Sequence, residues 1–178
     1  MKILYLSEKV NKKFISFLEK KGNVTWIKDK IDPKTKLDFD IAVSYGYRHI
    51  ISNEIIDKLN NNIINLHISY LPYNRGANPN YWSFKDNTPK GVTIHLVDKG
   101  IDTGPILVQK LCNFNNDEHT LESSYNILKD TIEKLFYEYF DDIINGKINP
   151  KPQKGKGSFH YKSDLLKPLD YKIKINNI

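Results

Sequence analysis

Two residue sets in this 178-residue chain have types and spacing that could carry chemistry. Ile63-Ile64-Asn65-Leu66-His67-Ile68 has the composition of a strand, and period-2 alternation puts Asn65 and His67 on one side of it. Asp102 lies in Gly100-Ile101-Asp102-Thr103-Gly104-Pro105, a glycine-bounded loop between two further expected strands. If those segments converge, a carboxamide, an imidazole and a carboxylate share one cleft. That set suits attack of an amine on a carbonyl. The amide can donate to the developing oxyanion, the imidazole can move or stabilise a proton, and the carboxylate can favour the charged imidazole. Spacing alone leaves open the plainer alternative, a histidine and an aspartate paired for structure.

The elements that must position these groups alternate in type. Strands are expected at Lys2 to Leu6, Val24 to Ile27, Phe39 to Ser44 and Ile63 to Ile68, with helices around Val10 to Leu18 and Asn53 to Leu59. Alternating strands and helices predict a Rossmann-like α/β fold: a mostly parallel sheet with helices on both faces, whose ligands bind beyond the carboxyl ends of the strands. Residues 71–90 read as loop with one helical turn near Tyr81 to Phe84. Two more strands are expected at Gly91 to Asp98 and Ile106 to Phe114. A long amphipathic helix follows from Thr120 to about Asn145, with Thr120 as N-cap and Gly146 as the left-handed residue past its end.

The boundaries expected are a catalytic domain at 1–146 and a lysine-rich extension at 147–178. A net charge of +6 first points to a nucleic-acid or membrane-surface partner. Residues 1–146, however, hold 19 basic and 19 acidic residues, and the extension holds eight lysines and two aspartates. The excess charge is entirely in the tail. Cys112 is the single cysteine, which excludes an internal disulfide and a cysteine-rich zinc site; it reads as a small core residue. The five histidines are scattered without metal-ligand spacing, so no metal is expected. The apolar run at Met1 to Leu6 is too short for a signal peptide, and no stretch reaches the ~20 apolar residues of a membrane span. The expected compartment is the cytoplasm.

Four stretches together resemble the formyltransferases that use 10-formyltetrahydrofolate. They are Asn65-Leu66-His67-Ile68-Ser69-Tyr70-Leu71-Pro72, Arg75-Gly76, Gly91-Val92-Thr93-Ile94-His95-Leu96-Val97-Asp98 and Ile101-Asp102-Thr103-Gly104-Pro105-Ile106. The similarity runs from about Gly46 to Gln109 and more loosely beyond. It implies that Asn65, His67 and Asp102 form the catalytic set and that an acceptor amine attacks the formyl carbon directly. It also implies a cosubstrate pocket made by His49, Ile50 and Ile51 with the backbone around Val97 and Asp98. Acceptor contacts are implied from Tyr70, Arg75 and Asn78. One departure stands inside the motif: Ile68 occupies a position where the family often has proline, and no reactive atom is lost.

Three branches of that family differ in acceptor. The tRNA branch carries a sizeable C-terminal domain that 32 residues cannot form. The glycinamide ribonucleotide branch has a glycine-rich phosphate loop after the first strand, where this chain reads Leu6-Ser7-Glu8-Lys9-Val10. The segments Asn74 to Ser83 and Lys156 to Tyr161 look like the amino-sugar enzymes, in which Arg75 would meet a phosphate and a tail aromatic would stack on a base or sugar. The expected acceptor is therefore a nucleotide-linked amino sugar, with glycinamide ribonucleotide and methionyl-tRNA as alternatives. For Trp82 and Phe159 the competing reading is plain packing under a loop. His95 sits on a strand beside the site, with a structural hydrogen bond as its alternative role; His119 and His160 read as structural or solvated. A nucleic-acid-binding module using the lysine tail is the reading from another class, disfavoured because a pure binder has no need of Asn65, His67 and Asp102. Family relatives are often homodimers, but no interface is marked in the sequence.

Overall fold

The computed structural model describes residues 1–115 and 117–178. Strands β1 (Lys2–Leu6), β2 (Asn23–Ile27), β3 (Ile41–Ser44) and β4 (Ile63–His67) are parallel, with α1 (Lys12–Glu19) between β1 and β2 and α2 (Asn53–Lys58) between β3 and β4. Near-continuous burial along Ile3 to Leu6 and Ile41 to Ser44 is what a parallel sheet covered on both faces requires. Next come β5 (Arg75–Gly76), α3 (Pro79–Lys85), β6 (Gly91–Leu96) and β7 (Ile106–Leu111), then α4 (Leu121–Ile144) and β8 (Phe159–His160). The six-stranded sheet has the order β2-β1-β3-β4-β6-β7, and β5 pairs with β8 separately.

Alternation sorts the two faces. Ile64, Leu66, Val92 and Ile94 join Phe14 and Leu18 of α1 and Leu128, Ile132 and Phe136 of α4 in the larger core. Ile63, Leu4, Leu6 and Ala42 pack on Ile55 and Ile56 of α2 in the smaller one. Asn65, His67, Thr93 and His95 fall on the α2 side of the sheet by the same alternation. Helix α4 starts as expected: Thr120 accepts from the Ser123 N–H and the Ser123 hydroxyl accepts in return from the Thr120 N–H. Gly146 beyond its end has φ +64°. Cys112 is half-buried against the larger core, and burial pushes its thiol up.

Three features go beyond the sequence reading. The 71–90 segment contains a full short helix, α3, entered through left-handed Asn78 and started by Pro79, whose fixed φ and missing N–H suit the first helical turn. Strand β6 runs antiparallel to β4, so Leu96 lies beside Ile64 and the Val97 N–H reaches the Ile63 carbonyl at the start of β4. The loop carrying Asp102 thus leaves from the sheet edge opposite the carboxyl ends of β1, β3 and β4, and must fold back over the sheet face. The lysine-rich segment, finally, is threaded along the body. Lys151 and Ile106 exchange both backbone bonds, β8 pairs with β5, and Ile175 is buried.

Candidate active site

Strand β4 delivers Asn65 and His67 side by side, and antiparallel β6 places His95 directly opposite Asn65. Asp102, in the left-handed region at φ +53°, turns its carboxylate down onto them. Its Oδ1 accepts from Asn65 Nδ2 at 3.1 Å, and its Oδ2 accepts from the Gly76 N–H at 2.9 Å and lies 3.6 Å from His67 Nδ1. His95 Nε2 lies 3.6 Å from Oδ1 and 3.2 Å from Asn65 Nδ2. The sequence-predicted trio therefore meets, with His95 and the Gly76 amide as further members.

The hydrogen bonds set the proton positions. His67 Nε2 faces the Asn74 carbonyl at 3.0 Å, so Nε2–H donates there and Nδ1 faces Asp102. His95 Nδ1–H donates to the Leu96 carbonyl at 2.8 Å, which leaves Nε2 to accept from Asn65. Both amide hydrogens of Asn65 are then engaged, one on His95 and one on Asp102, and its Oδ1 is the open atom. Turning the amide over would set that oxygen against a carboxylate oxygen. Donation from Asn65 to an oxyanion consequently requires release of one of these hydrogens. Burial alone would raise the Asp102 pKa. When the rings are protonated, the charge of His67 and a hydrogen bond and charge from His95, together with the Gly76 N–H, overcome it and hold the carboxyl well below the usual carboxylate range.

Supports for these groups come from distant parts of the chain. Gln153 Nε2 donates to the carbonyls of Asp102 and Gly104 at 2.8 and 2.9 Å, bracing the left-handed turn. Ser158 Oγ accepts from the Asn74 N–H at 2.8 Å and donates to Asn74 Oδ1 at 3.1 Å, fixing the residue whose carbonyl receives His67. Thr93 Oγ1 donates to the Ser69 carbonyl and accepts from the Leu71 N–H, pinning the loop that follows β4. Sequence reasoning missed Asn74, Gln153 and Ser158. Asn74 acts through its backbone carbonyl, which has no residue signature, and the other two stand in the lysine-rich extension, where sequence reading assigns neither side chain a role of its own.

The remaining predicted residues lie at varied distances from this centre. Ile50 is 73% exposed and His49 is exposed with its ring edge-on to Tyr47, while Ile51 and Val97 both pack against the smaller core. Asp98 accepts from the Gly100 N–H and the Thr103 hydroxyl and so shapes the loop that carries Asp102. Arg75 lies in β5 with its Nε 3.5 Å from the Ser158 carbonyl. Asn78 begins α3 without a capping bond. Tyr70 turns its ring over Gly91 at the far end of β6; a Cβ on Gly91 would meet that ring at 3.0 Å. Trp82 stacks on His160 with centroids 4.1 Å apart and planes 2° apart, and Asp86 approaches His160 Nε2 at 2.9 Å. Phe159 packs on Gly76 and Tyr161. Trp82 and Phe159 are thus packing residues that hold the tail. Among the described residues, no cluster of three His, Cys, Asp or Glu side chains is placed to hold a metal, and no helix is long and apolar enough to cross a membrane.

A mostly parallel α/β sheet thus gathers an amide, two imidazoles and a carboxylate, a set whose chemistry suits acyl-type group transfer. The formyl transferase family pattern matches residues 19–139, and the chain belongs to that family. It is 39% identical over 141 residues to a methionyl-tRNA formyltransferase of Thermodesulfovibrio yellowstonii, covering 79% of this chain and 44% of that protein. It is 32% identical over 134 residues to a dTDP-4-amino-4,6-dideoxyglucose formyltransferase of Mycobacterium bovis, covering 74% and 56%. The chain thus spans about half the length of the curated relatives it matches. Among solved structures it superposes with a TM-score of 0.92 and 43% identity on the formyltransferase PseJ from Anoxybacillus kamchatkensis, in complex with UDP-4,6-dideoxy-4-formamido-L-AltNAc and tetrahydrofolate. That match covers 99% of this chain and 96% of the other. The Mycobacterium tuberculosis protein Rv3404c superposes at 0.78 with 27% identity, covering 92% and 76%.

Proposed function

We propose that this protein transfers a formyl group from 10-formyltetrahydrofolate to the amine of a nucleotide-linked amino sugar, with Asn65, His67 and Asp102 as its catalytic residues. The observation that carries the reading is the convergence of Asn65 and His67 on the Asp102 carboxylate, at 3.1 and 3.6 Å, in a chain that matches PseJ over nearly its whole length. The exposed Ile50, the half-buried Ile51 and Val97 and the 41%-exposed Ile101 offer apolar surface on the Asp102 side of the sheet, which suits a flat pteridine ring. Bound there, the folate supplies a formyl carbon that an amine can attack.

Asp102, ionised and braced by Gly76, holds His67 with Nδ1 toward the carboxylate and stabilises positive charge on the imidazole. His67 takes the proton that the acceptor nitrogen sheds as the new C–N bond forms and returns it to N10 of the folate as the formyl C–N10 bond breaks and tetrahydrofolate leaves, while Asn65 orients the reacting groups through its open Oδ1 and through a hydrogen released from Asp102 or His95. The pair of imidazoles facing one carboxylate lets positive charge rise where the carbonyl oxygen becomes negative.

Incubation with 10-formyltetrahydrofolate and a panel of aminodeoxy sugar nucleotides should yield an N-formylated sugar. Asp102→Asn and His67→Asn should each lower kcat at least ~100-fold, the scale of losing an acid–base or oxyanion group. Turnover of glycinamide ribonucleotide or methionyl-tRNA alone would overturn the acceptor, and near wild-type turnover in either variant would overturn the assignment of roles.

A further inference from the structure

The middle of the lysine-rich segment meets the loop after β4 along one short run. Gly157 has φ +61°, and a Cβ there would collide with the Pro72 carbonyl, so the tail comes as close to this loop as backbone allows. The Ser158 N–H donates to that carbonyl at 3.2 Å, the Arg75 N–H to the Ser158 carbonyl at 3.0 Å and the Ala77 N–H to the His160 carbonyl at 2.9 Å. Ser158 Oγ bonds Asn74 twice. Asn74 itself is wholly buried in the left-handed region, with its Nδ2 donating to Thr88 Oγ1 at 2.7 Å. Residues 74–77 are therefore fixed from the tail side.

Two backbone groups of that run touch the catalytic trio. The Asn74 carbonyl faces His67 Nε2 at 3.0 Å, and the Gly76 N–H donates to Asp102 Oδ2 at 2.9 Å. Both bias one choice. A neutral imidazole carries a single ring hydrogen, whose place is set by the acceptors around it. The Asp102 carboxylate is the stronger acceptor, but its Oδ2 stands 3.6 Å from His67 Nδ1, beyond hydrogen-bond range, and already accepts from Gly76. The carbonyl takes the hydrogen instead, and Nδ1 keeps its lone pair beside Asp102. Loosening residues 74–77 removes both constraints together and lets an Nδ1–H turn to the carboxylate.

The tail strand needs an anchor of its own. Strands β5 and β8 have two residues each, too few to hold by pairing alone. The His160 ring lies flat on Trp82 of α3, and Asp86, just past the end of α3, approaches its Nε2. Helix α3 is in turn tied to α4 through the Asn80 carboxamide, which bonds the Leu121 carbonyl and the Ser124 hydroxyl. The latch thus rests on the body of the protein rather than on the loop it steadies.

We infer that Ser158 and His160 are positioning residues of the reaction centre: Ser158 holds the Asn74 carbonyl that keeps the His67 hydrogen on Nε2, and His160 latches the strand that holds the Gly76 N–H on Asp102. The inference rests on the formyl-transfer reading, in which His67 uses its lone pair beside Asp102. It gives the lysine-rich segment a part in the reaction that owes nothing to its charge.

Proton–nitrogen correlation spectra of the histidine rings test it, recorded on the full chain as pH is raised until His67 is neutral. The wild type should show His67 with its hydrogen on Nε2. Ser158→Ala and His160→Ala should each move part of that population to Nδ1. Each should also lower kcat about tenfold with little change in KM, less than the ~100-fold that a misplacement of about 1 Å can cost. Ser158→Thr, which keeps the hydroxyl, should restore both the tautomer and kcat. A wild-type ring with its hydrogen on Nδ1 would overturn the inference outright. An alanine variant that keeps the wild-type tautomer, or loses activity only in step with its folded fraction, removes that residue from the role. If the wild type formylates none of the sugar nucleotides, the formyl-transfer reading fails, and the tautomer spectra alone decide what the tail strand holds.

Discussion

Asp102 carries the sharpest expectations at the scale of single residues. It is held in the left-handed region, nearly buried, and faced by two imidazoles and a backbone N–H. Burial opposes its charge, but His67, His95 and Gly76 outweigh that and depress its pKa from the ordinary 3.8. A carboxyl depressed on folding adds stability that is fully present above its unfolded pKa and is lost only as pH falls through the lower, folded value. The carboxylate carbon of Asp102 should therefore keep its ionised NMR shift as pH is lowered from 7 to about 4. A midpoint inside that window would show that the imidazoles do not hold it. In Asp102→Asn this contribution is absent, so urea stability should fall less steeply below about pH 4 than in the wild type.

Secondary elements are held in register by a few buried polar ties. Glu133 of α4, 6% exposed, accepts from Asn11 Nδ2 at 2.8 Å and from the Tyr45 hydroxyl at 2.9 Å, joining the cap of α1 and the end of β3 to the long helix. Burial first, and then the Glu133 charge, push the Tyr45 phenol far up, so it remains a donor at any ordinary pH. Glu133→Leu leaves both donors without a partner, at about 1–3 kcal/mol each; urea denaturation should register a loss above about 2 kcal/mol, and an unchanged midpoint would rule the tie out. Gln153 serves the reaction centre in a comparable way through the carbonyls of Asp102 and Gly104. Gln153→Ala should lower kcat about tenfold with little change in the KM for folate, because it loosens the turn that aims the carboxylate. Equal loss in KM and none in kcat would assign Gln153 to binding instead.

For the whole molecule, the charge asymmetry is the property that composition brought forward. The +6 excess lies in residues 147–178, yet that segment is bonded along the body through Lys151, Ser158, β8 and Ile175. Such lysines decorate a structural strap, so filter binding of RNA should be weak and should lack a steep dependence on salt. Tight binding that falls steeply with salt would return the nucleic-acid reading. The strands, the cap of α4 and the pairing of Asn65 with His67 were legible in the sequence, because period and capping are local and depend on residue type alone. So was the trio with Asp102, through the resemblance of its motifs. The antiparallel course of β6, the return of the Asp102 loop over the sheet face, the Asn74 carbonyl under His67 and the Gln153 brace were not legible. Each joins segments far apart in the chain through backbone groups that every residue carries, and only the packed tertiary structure selects which of them meet.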